Sequence, residues 1–466
     1  MKIFFHGAAR EVTGSCHRIE SDAGDILLDC GMIQGGKERH ERNREPFPFR
    51  VDRLSSVILS HAHIDHSGRL PVLCKAGFRG PILATEPTVE LCKIMLADSA
   101  RIQEEDARWK IKRLRKRRKD ASWVKPLYTS EDVQCILDRF VAVPFDEPRD
   151  LAGGGRVTFV KAGHILGAAI VRLELPVDGG SRTLAFSGDL GVETARLVGG
   201  PHRTSCPDYL LIESTYGNRD RSGSKDKTEQ LYEVIDATVR RGGKVVIPSF
   251  AVGRTQAILA RINDLVESGR LASLPVFVDS PMAIAATRVF AMHPEAYSAE
   301  ARRLLRCGDE PLEFDGLSFT QTVDQSKAIN DVKGPCVIIS ASGMATAGRI
   351  KHHLHNHISD SRNTIVFVGY QARNTLGRVI QDGTDPVRIF GDWHPVRARV
   401  ETIDGFSAHA DQTELLDWFA RLGDVPRCTY VVHGEEEASL ELASLLNRRF
   451  GARVEIPHKD QSFPLS

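Results

Sequence analysis

The chain has 466 residues, 41% of them hydrophobic, and its 62 Lys and Arg balance 61 Asp and Glu to a net charge of +1. That length reads as two or three domains with room for sizeable cores, and a balanced total charge carries no information about partners. Nine cysteines without a C-x-x-C pair argue against a disulfide framework, and no signal-like start or run of ~18 apolar residues occurs, so a cytoplasmic α/β protein without a membrane partner is expected.

In chain order, "IFFHGAAREVTGSCHRIE" and "DILLDCGMI" read as strands split by Gly and Asp turns. "LSSVILS" is a β-branched apolar run, "RLPVLCKAG" a helix and "GPILAT" a further strand. A helical stretch spans roughly residues 85 to 140. "RVTFVKAGH", "AAIVRLELPV", "RTLAFSGDL" and "DYLLIESTYG" continue the strands. Beyond about residue 215 the pattern changes to strand, turn, helix, as in "GGKVVIPSFAVGRTQAILARINDLV", "LPVFVDSPMAIAATRVF" and "GPCVIISASGMATAGRIKHHLHNHI". Buried-looking strands alternating with helices predict a mainly parallel sheet covered on both faces. Near residue 400 the first style returns. The expected organisation is one domain from residues 1–213 and 400–466, interrupted by an inserted domain at 214–399.

"LSHAHIDHSG" crowds His61, His63, Asp65 and His66 into six residues at the end of a predicted strand. Alternation points His61 and His63 the same way, and Asp65 and His66 fall where a helix begins. Imidazoles and carboxylates are good zinc ligands, and one cation cannot use all four while keeping a position open for catalysis. Two cations could, given more donors from elsewhere. His164, Asp189 and His433 stand at later strand ends, with Asp189 the carboxylate chosen to bridge. Asp29 in "LLDCG" is a candidate to orient a ligand imidazole. Any one of these later residues alone would more often be a turn residue or a structural histidine.

"HAHIDH" resembles the signature of the metallo-β-lactamase superfamily, and Asp29, His164 and Asp189 match in the expected order. "LIESTYG" with Glu213, "GFSAHAD" with His409 and "VVHGEEE" with His433 resemble the further motifs of its β-CASP nuclease branch, as do "EVTGS" and "SASGMATAGR". The chain looks most like RNA-processing members related to the endonuclease subunit of the cleavage and polyadenylation machinery. The resemblance implies an α/β metallo-β-lactamase αββα sandwich interrupted by an α/β β-CASP domain. It implies two Zn2+ per chain: His61, His63 and His164 on one, Asp65, His66 and His433 on the other, and Asp189 between them. It also implies catalytic roles for Asp65 and Asp189, and a proton donor in His409 supported by Glu213. Histidine at the position of His433 goes with RNA-acting members, and an apolar residue with DNA-acting ones. The expected activity is a zinc-dependent ribonuclease on single-stranded RNA, cutting internally or from the 5′ end and leaving 5′-phosphate and 3′-hydroxyl ends. The analogy extends to a homodimer.

Inside the insert, Ser342 and Gly343 in "VIISASGMATAGRI" and Arg254 in "PSFAVGRTQ" are candidate RNA contacts, since a strand-to-helix turn offers backbone N–H groups to a phosphate. The active site is expected to open between the two domains, at the carboxyl ends of strands. "KIKRLRKRRK" at 110–119 holds eight basic residues in ten. It reads either as an RNA contact or as a solvated helix face near "EEDA" at 104–107, and with Trp109 but no aromatic interleaving it gives no expectation of base stacking. "KHHLHNHI", with His352, His353, His355 and His357, is a rival metal cluster, but its pairs fall on different helix faces and it reads as structural or RNA-facing. Other readings are a DNA nuclease of the same branch, a thioesterase-like hydrolase and a non-catalytic RNA scaffold.

Overall fold

The structure is a computed structural model, and it describes all residues except 23, 36–40, 153, 178, 221–225, 373, 404 and 466. The chain forms two compact units. The first comprises Met1–Glu193, Gly200–Asp220 and His409–Ser466; the second comprises Thr194–Gly199 and Arg221–Ala408. No helix among the described residues is long and apolar enough to cross a membrane.

The first unit is built on two seven-stranded sheets. One runs in the order Gln461–Pro464, Lys2–Gly7, Cys16–Glu20, Asp25–Leu28, Leu54–Ile58, Ile82–Ala84 and Phe140–Ala142. The other runs Val454–Glu455, Cys428–Val432, Tyr209–Glu213, Gly180–Phe186, Ala169–Val177, Arg156–Lys161 and Arg149–Asp150. In Ala169–Val177 the alternation is visible: Val171, Leu173 and Leu175 are buried while Glu174 is exposed. Those three join Phe5, Ile19, Leu28 and Ile58 of the first sheet and Phe186, Leu211 and Tyr430 of the second in one apolar cluster. Two sheets sharing inner faces bury each other's alternate residues. Tyr209–Glu213 and Cys428–Val432 are buried at every position, as strands covered on both faces must be. These two are parallel neighbours, and residues 221–408 of the second unit lie in the connection between them.

The second unit carries a six-stranded sheet in the order Leu317–Phe319, Val276–Val278, Cys336–Ser340, Lys244–Pro248, Thr364–Phe367 and Arg399–Thr402, with every pairing parallel. This is the parallel sheet the strand–helix alternation predicts. Arg399–Thr402 corrects one reading. It pairs with Thr364–Phe367 as an edge of this sheet, instead of rejoining the first unit. Its polar, mostly exposed side chains suit an edge, where charge discourages further pairing, and they also imitate a half-exposed antiparallel strand.

The histidine-rich helix Ile350–His357 is structural in this unit. His353 Nε2 lies 2.7 Å from the Asp279 carboxylate, just past the end of Val276–Val278, and stacks 6.2 Å from His357. Asp279 also accepts hydrogen bonds from Arg349 at 2.7 Å, Thr320 at 2.7 Å and Ser326 at 2.6 Å. Burial pushes the Asp279 carboxyl up, but these donors hold it below the usual carboxylate range. Its stabilisation is therefore complete above the unfolded-state value and fades as pH falls through the depressed one. Asp279→Ala leaves Arg349 and buried His353 without their anion, and should cost about 3–5 kcal/mol in a denaturant melt. A loss below about 1 kcal/mol would show the network to be dispensable.

Candidate metal centre

Arg156–Lys161, Gly180–Phe186, Tyr209–Glu213 and Cys428–Val432 all run in one direction, so their carboxyl ends share an edge of the second sheet. His164, Asp189, Glu213 and His433 sit at or just beyond those ends. From the facing sheet, Leu54–Ile58 leads through Ser60 to His61. His63 then caps a one-turn helix, Ile64–Ser67, that carries Asp65 and His66. Two glycines permit the close approach: a Cβ on Gly31 would collide with the Asp65 carbonyl, and one on Gly191 with the Gly163 carbonyl. Asp29 and His433 hold left-handed backbone, φ 59° and 50°, which costs free energy in a non-glycine residue.

The donor atoms fall into two groups that share Asp189. His63 Nδ1 lies 3.1 Å from His61 Nε2 and 3.2 Å from His164 Nε2. Asp189 Oδ2 is 3.5 Å from His61 Nε2 and 3.6 Å from His164 Nε2. Its other oxygen, Oδ1, is 3.3 Å from His66 Nε2. His66 Nε2 is 3.1 Å from His433 Nε2, which is 3.6 Å from Asp65 Oδ2. Ligand atoms about 2.0–2.2 Å from a tetrahedral ion stand about 3.3–3.6 Å apart, so this spacing is that of a coordination shell. One proton cannot satisfy His63 Nδ1 toward two imidazoles at once. Asp189 Oδ1 is buried without a hydrogen-bond partner among the described residues. The donor set therefore fits divalent metal.

Burial holds His61, His63 and His164 below the ordinary imidazole range, His63 at about 4, so they are neutral donors near pH 7. Burial also pulls His66 down, but Asp189 and Asp29 outweigh it and hold His66 well above that range. Asp29 sits 2.7 Å from His66 Nδ1 and accepts from the Ser60 amide at 2.8 Å and from the hydroxyls of Ser60 and Ser15 at 2.9 and 3.0 Å. Ser60 Oγ is 3.1 Å from His61 Nδ1, and Thr215 Oγ1 is 3.1 Å from His433 Nδ1. Ser15, Ser60 and Thr215 carry no sequence signal of their own; a hydroxyl beside a metal motif is the only clue. Asp29→Asn should weaken metal affinity about 10–100-fold in a competition titration with a chromophoric chelator, and unchanged affinity would remove Asp29 from the centre's support.

Glu213 is buried and accepts from the Leu190 amide at 2.6 Å. His409 Nδ1 lies 3.2 and 3.3 Å from its two oxygens and 3.9 Å from Asp189 Oδ2. A main-chain bridge from Gly191 to His409 and the 2.8 Å bond from the Ala410 amide to the Leu190 carbonyl fix the histidine there. Burial lowers the His409 pKa, but Glu213 and then Asp189 outweigh it and raise it to about 9.

Arg254, Ser342 and Gly343 all lie in the second unit. Arg254 opens the helix Arg254–Glu267, and its guanidinium donates to the Val368 carbonyl. The Ser342 hydroxyl accepts from the Thr346 amide at 3.1 Å. Gly343 packs against Phe250. Helix Ile350–His357 begins several residues further on, so Ser342 and Gly343 stand in a turn ahead of it and not at its N-terminus.

Comparison with known proteins matches three families along the chain. Residues 18–178 match the metallo-beta-lactamase superfamily domain, 255–380 the Beta-Casp domain, and 393–457 the Zn-dependent metallo-hydrolase RNA specificity domain. A ribonuclease of Thermus thermophilus is 39% identical over 100% of both chains. A transcription termination factor of Methanocaldococcus jannaschii is 32% identical over 98% of this chain and 70% of its own length. A crystal structure of an Enterococcus faecalis protein of unknown function shares the fold, with a TM-score of 0.55 at 11% identity over 100% of this chain and 99% of that one. With a full-length relative at this identity and the donor set in place, the chain belongs to the β-CASP ribonuclease family of the metallo-β-lactamase superfamily.

Proposed function

We propose that this chain hydrolyses single-stranded RNA with two zinc ions, leaving 5′-phosphate and 3′-hydroxyl ends. The observation that carries the proposal is the pair of donor groups meeting on the two oxygens of Asp189. His61, His63, His164 and Asp189 Oδ2 would hold one ion; Asp65, His66, His433 and Asp189 Oδ1 would hold the other. When bound, such a pair lowers the pKa of water and offsets the negative charge that builds at phosphorus. The chain's own residues handle the rest. His409 keeps one ring proton toward Glu213, and its other ring nitrogen carries the proton that the leaving 3′ oxygen needs. Glu213, fixed by the Leu190 and Thr215 amides, keeps His409 charged near neutral pH. Histidine at 433 favours RNA over DNA by the resemblance already drawn. The name of the Thermus relative, a ribonuclease, supports an RNA-directed role.

The test offers zinc-loaded protein labelled single-stranded RNA, the same sequence as single-stranded DNA, and a generic thioester. Cleavage confined to RNA, with products that a 5′-phosphate-dependent exonuclease degrades, is the expected result. Thioester hydrolysis without RNA cleavage, or DNA cut as fast as RNA, would overturn it.

A further inference from the structure

We propose that the exposed end of the long helix Glu86–Lys116, with the turn that follows it, is a docking platform for single-stranded RNA. The proposal rests on the ribonuclease reading only for the identity of the polyanion. The helix has 31 residues, about 46 Å, and its first half is anchored by Val89, Leu91, Cys92, Met95, Leu96 and Ala100. Its last buried residue is Ala107. Beyond that point it carries Arg108, Lys110, Lys112, Arg113, Arg115 and Lys116, and the chain continues with Arg117, Arg118 and Lys119.

The neighbouring carboxylates do not neutralise this run. Glu105 pairs with Arg101 at 2.9 Å, Asp98 with Arg101 at 2.6 Å, and Glu104 accepts from the Ser130 amide at 2.8 Å. Among the described residues, no basic side chain from Arg108 to Lys119 makes an ion pair. Favourable contact with the helix C-terminal dipole explains basic residues at and just past the last turn, but it falls off within that turn and does not reach back to Arg108 and Lys110. Desolvated partners are not what these charges serve; a concentrated field is.

Two tryptophans flank the charges. Trp109 is 63% exposed and Trp123 60%. The chain doubles back so that Lys110 Nζ lies 4.2 Å from the centre of the Trp123 ring, and Arg113 lies 5.3 Å from that of Trp109. Both indoles therefore stay more than half exposed with a cation beside them. Cations tracking a backbone beside aromatic faces on which bases stack is the construction of a single-strand binding surface. An anionic membrane would also take Trp beside Lys and Arg, but it needs a continuous apolar helix face, and from Arg108 to Lys119 the helix offers only half-buried Ile111 and Leu114 besides Trp109.

The experiment is fluorescence anisotropy of the full chain, treated with chelator so that nothing is cut, with a labelled single-stranded RNA across a salt series. The four-residue variant K112Q/R113Q/K116Q/R117Q should weaken binding on the order of 100-fold near 0.1 M salt, and flatten the slope of log affinity against log salt by up to about 3. Trp109→Ala and Trp123→Ala should each weaken binding on the order of ten-fold with the slope unchanged. All substituted side chains are exposed, so equal thermal melts are expected. Binding and slope unchanged in the four-residue variant overturn the platform. So does a loss by charge alone, matched on polyphosphate or anionic vesicles and indifferent to both tryptophans. The two readings fail separately: a wild-type chain that binds RNA through this surface in chelator yet never cuts it once loaded with zinc refutes the ribonuclease and keeps the platform.

Discussion

Asp189→Asn should lower RNA cleavage on the order of 10³-fold or more and bring bound metal down from the proposed two ions per chain toward one. The two Asp189 oxygens face different donor groups, Oδ2 toward His61 and His164 and Oδ1 toward His66. An asparagine of the same volume replaces one of them with an N–H donor, which cannot ligate. Whichever way the amide turns, one group keeps its carbonyl oxygen and the other loses a donor. A change to any single histidine would strip a donor from its own group only, whereas Asp189→Ala removes both oxygens and should weaken metal in both groups, and that contrast separates a bridging role from an ordinary ligand. The readouts are metal content by atomic emission after gel filtration, and single-turnover cleavage. Retention of two ions and full rate would end the bridging assignment; loss of both ions would mean the groups do not bind independently. A thermal melt in chelator guards against a folding defect, since burial without a hydrogen-bond partner at Oδ1 gives the carboxylate little to contribute to the metal-free fold.

The cluster at 61–66 was legible because its spacing is local: strand, then cap, then one helical turn place all four side chains within a few residues. The strand ends carrying His164, Asp189 and His433 were legible for a different reason. Each closes an apolar run with glycine beside it, and parallel strands put such ends on one edge. Nothing local announced Glu213 or His409. They meet across 196 positions through a bridge between Gly191 and His409, and motif resemblance alone had suggested the pair. The Asp279 network was missed altogether. A lone Asp after a short strand looks like a turn residue until Arg349 and His353 return to it from 70 and 74 positions away. Arg399–Thr402 misled because an edge strand of a parallel sheet, half exposed and charged, has the same alternation as an antiparallel one. The basic run at 110–119 was plain in sequence, but its tie to Trp123 depends on the chain reversing after Lys116.

His409→Ala should slow cleavage about 10²–10⁴-fold at neutral pH, the usual contribution of a positioned general acid. The sign of its pH dependence follows from the geometry. A general acid works only while protonated, so its contribution is present below its pKa and lost as pH rises through it. Burial would drive His409 neutral; the Glu213 carboxylate at 3.2 Å, then Asp189, reverse this and raise it to about 9. The wild-type rate should therefore fall on the alkaline side, and Glu213→Gln should carry that fall to lower pH while the plateau below it largely survives. If Glu213 were only a structural acceptor for Leu190 and Thr215, the same variant would lower the whole profile without moving it. A substrate with sulfur in place of the 3′ oxygen at the scissile bond sharpens the distinction, because a thiolate leaves without a proton. On that substrate His409→Ala should regain most of its lost rate and Asp189→Asn should regain none. Equal loss on both substrates would move His409 from proton transfer to positioning, and would leave the leaving oxygen in need of another donor.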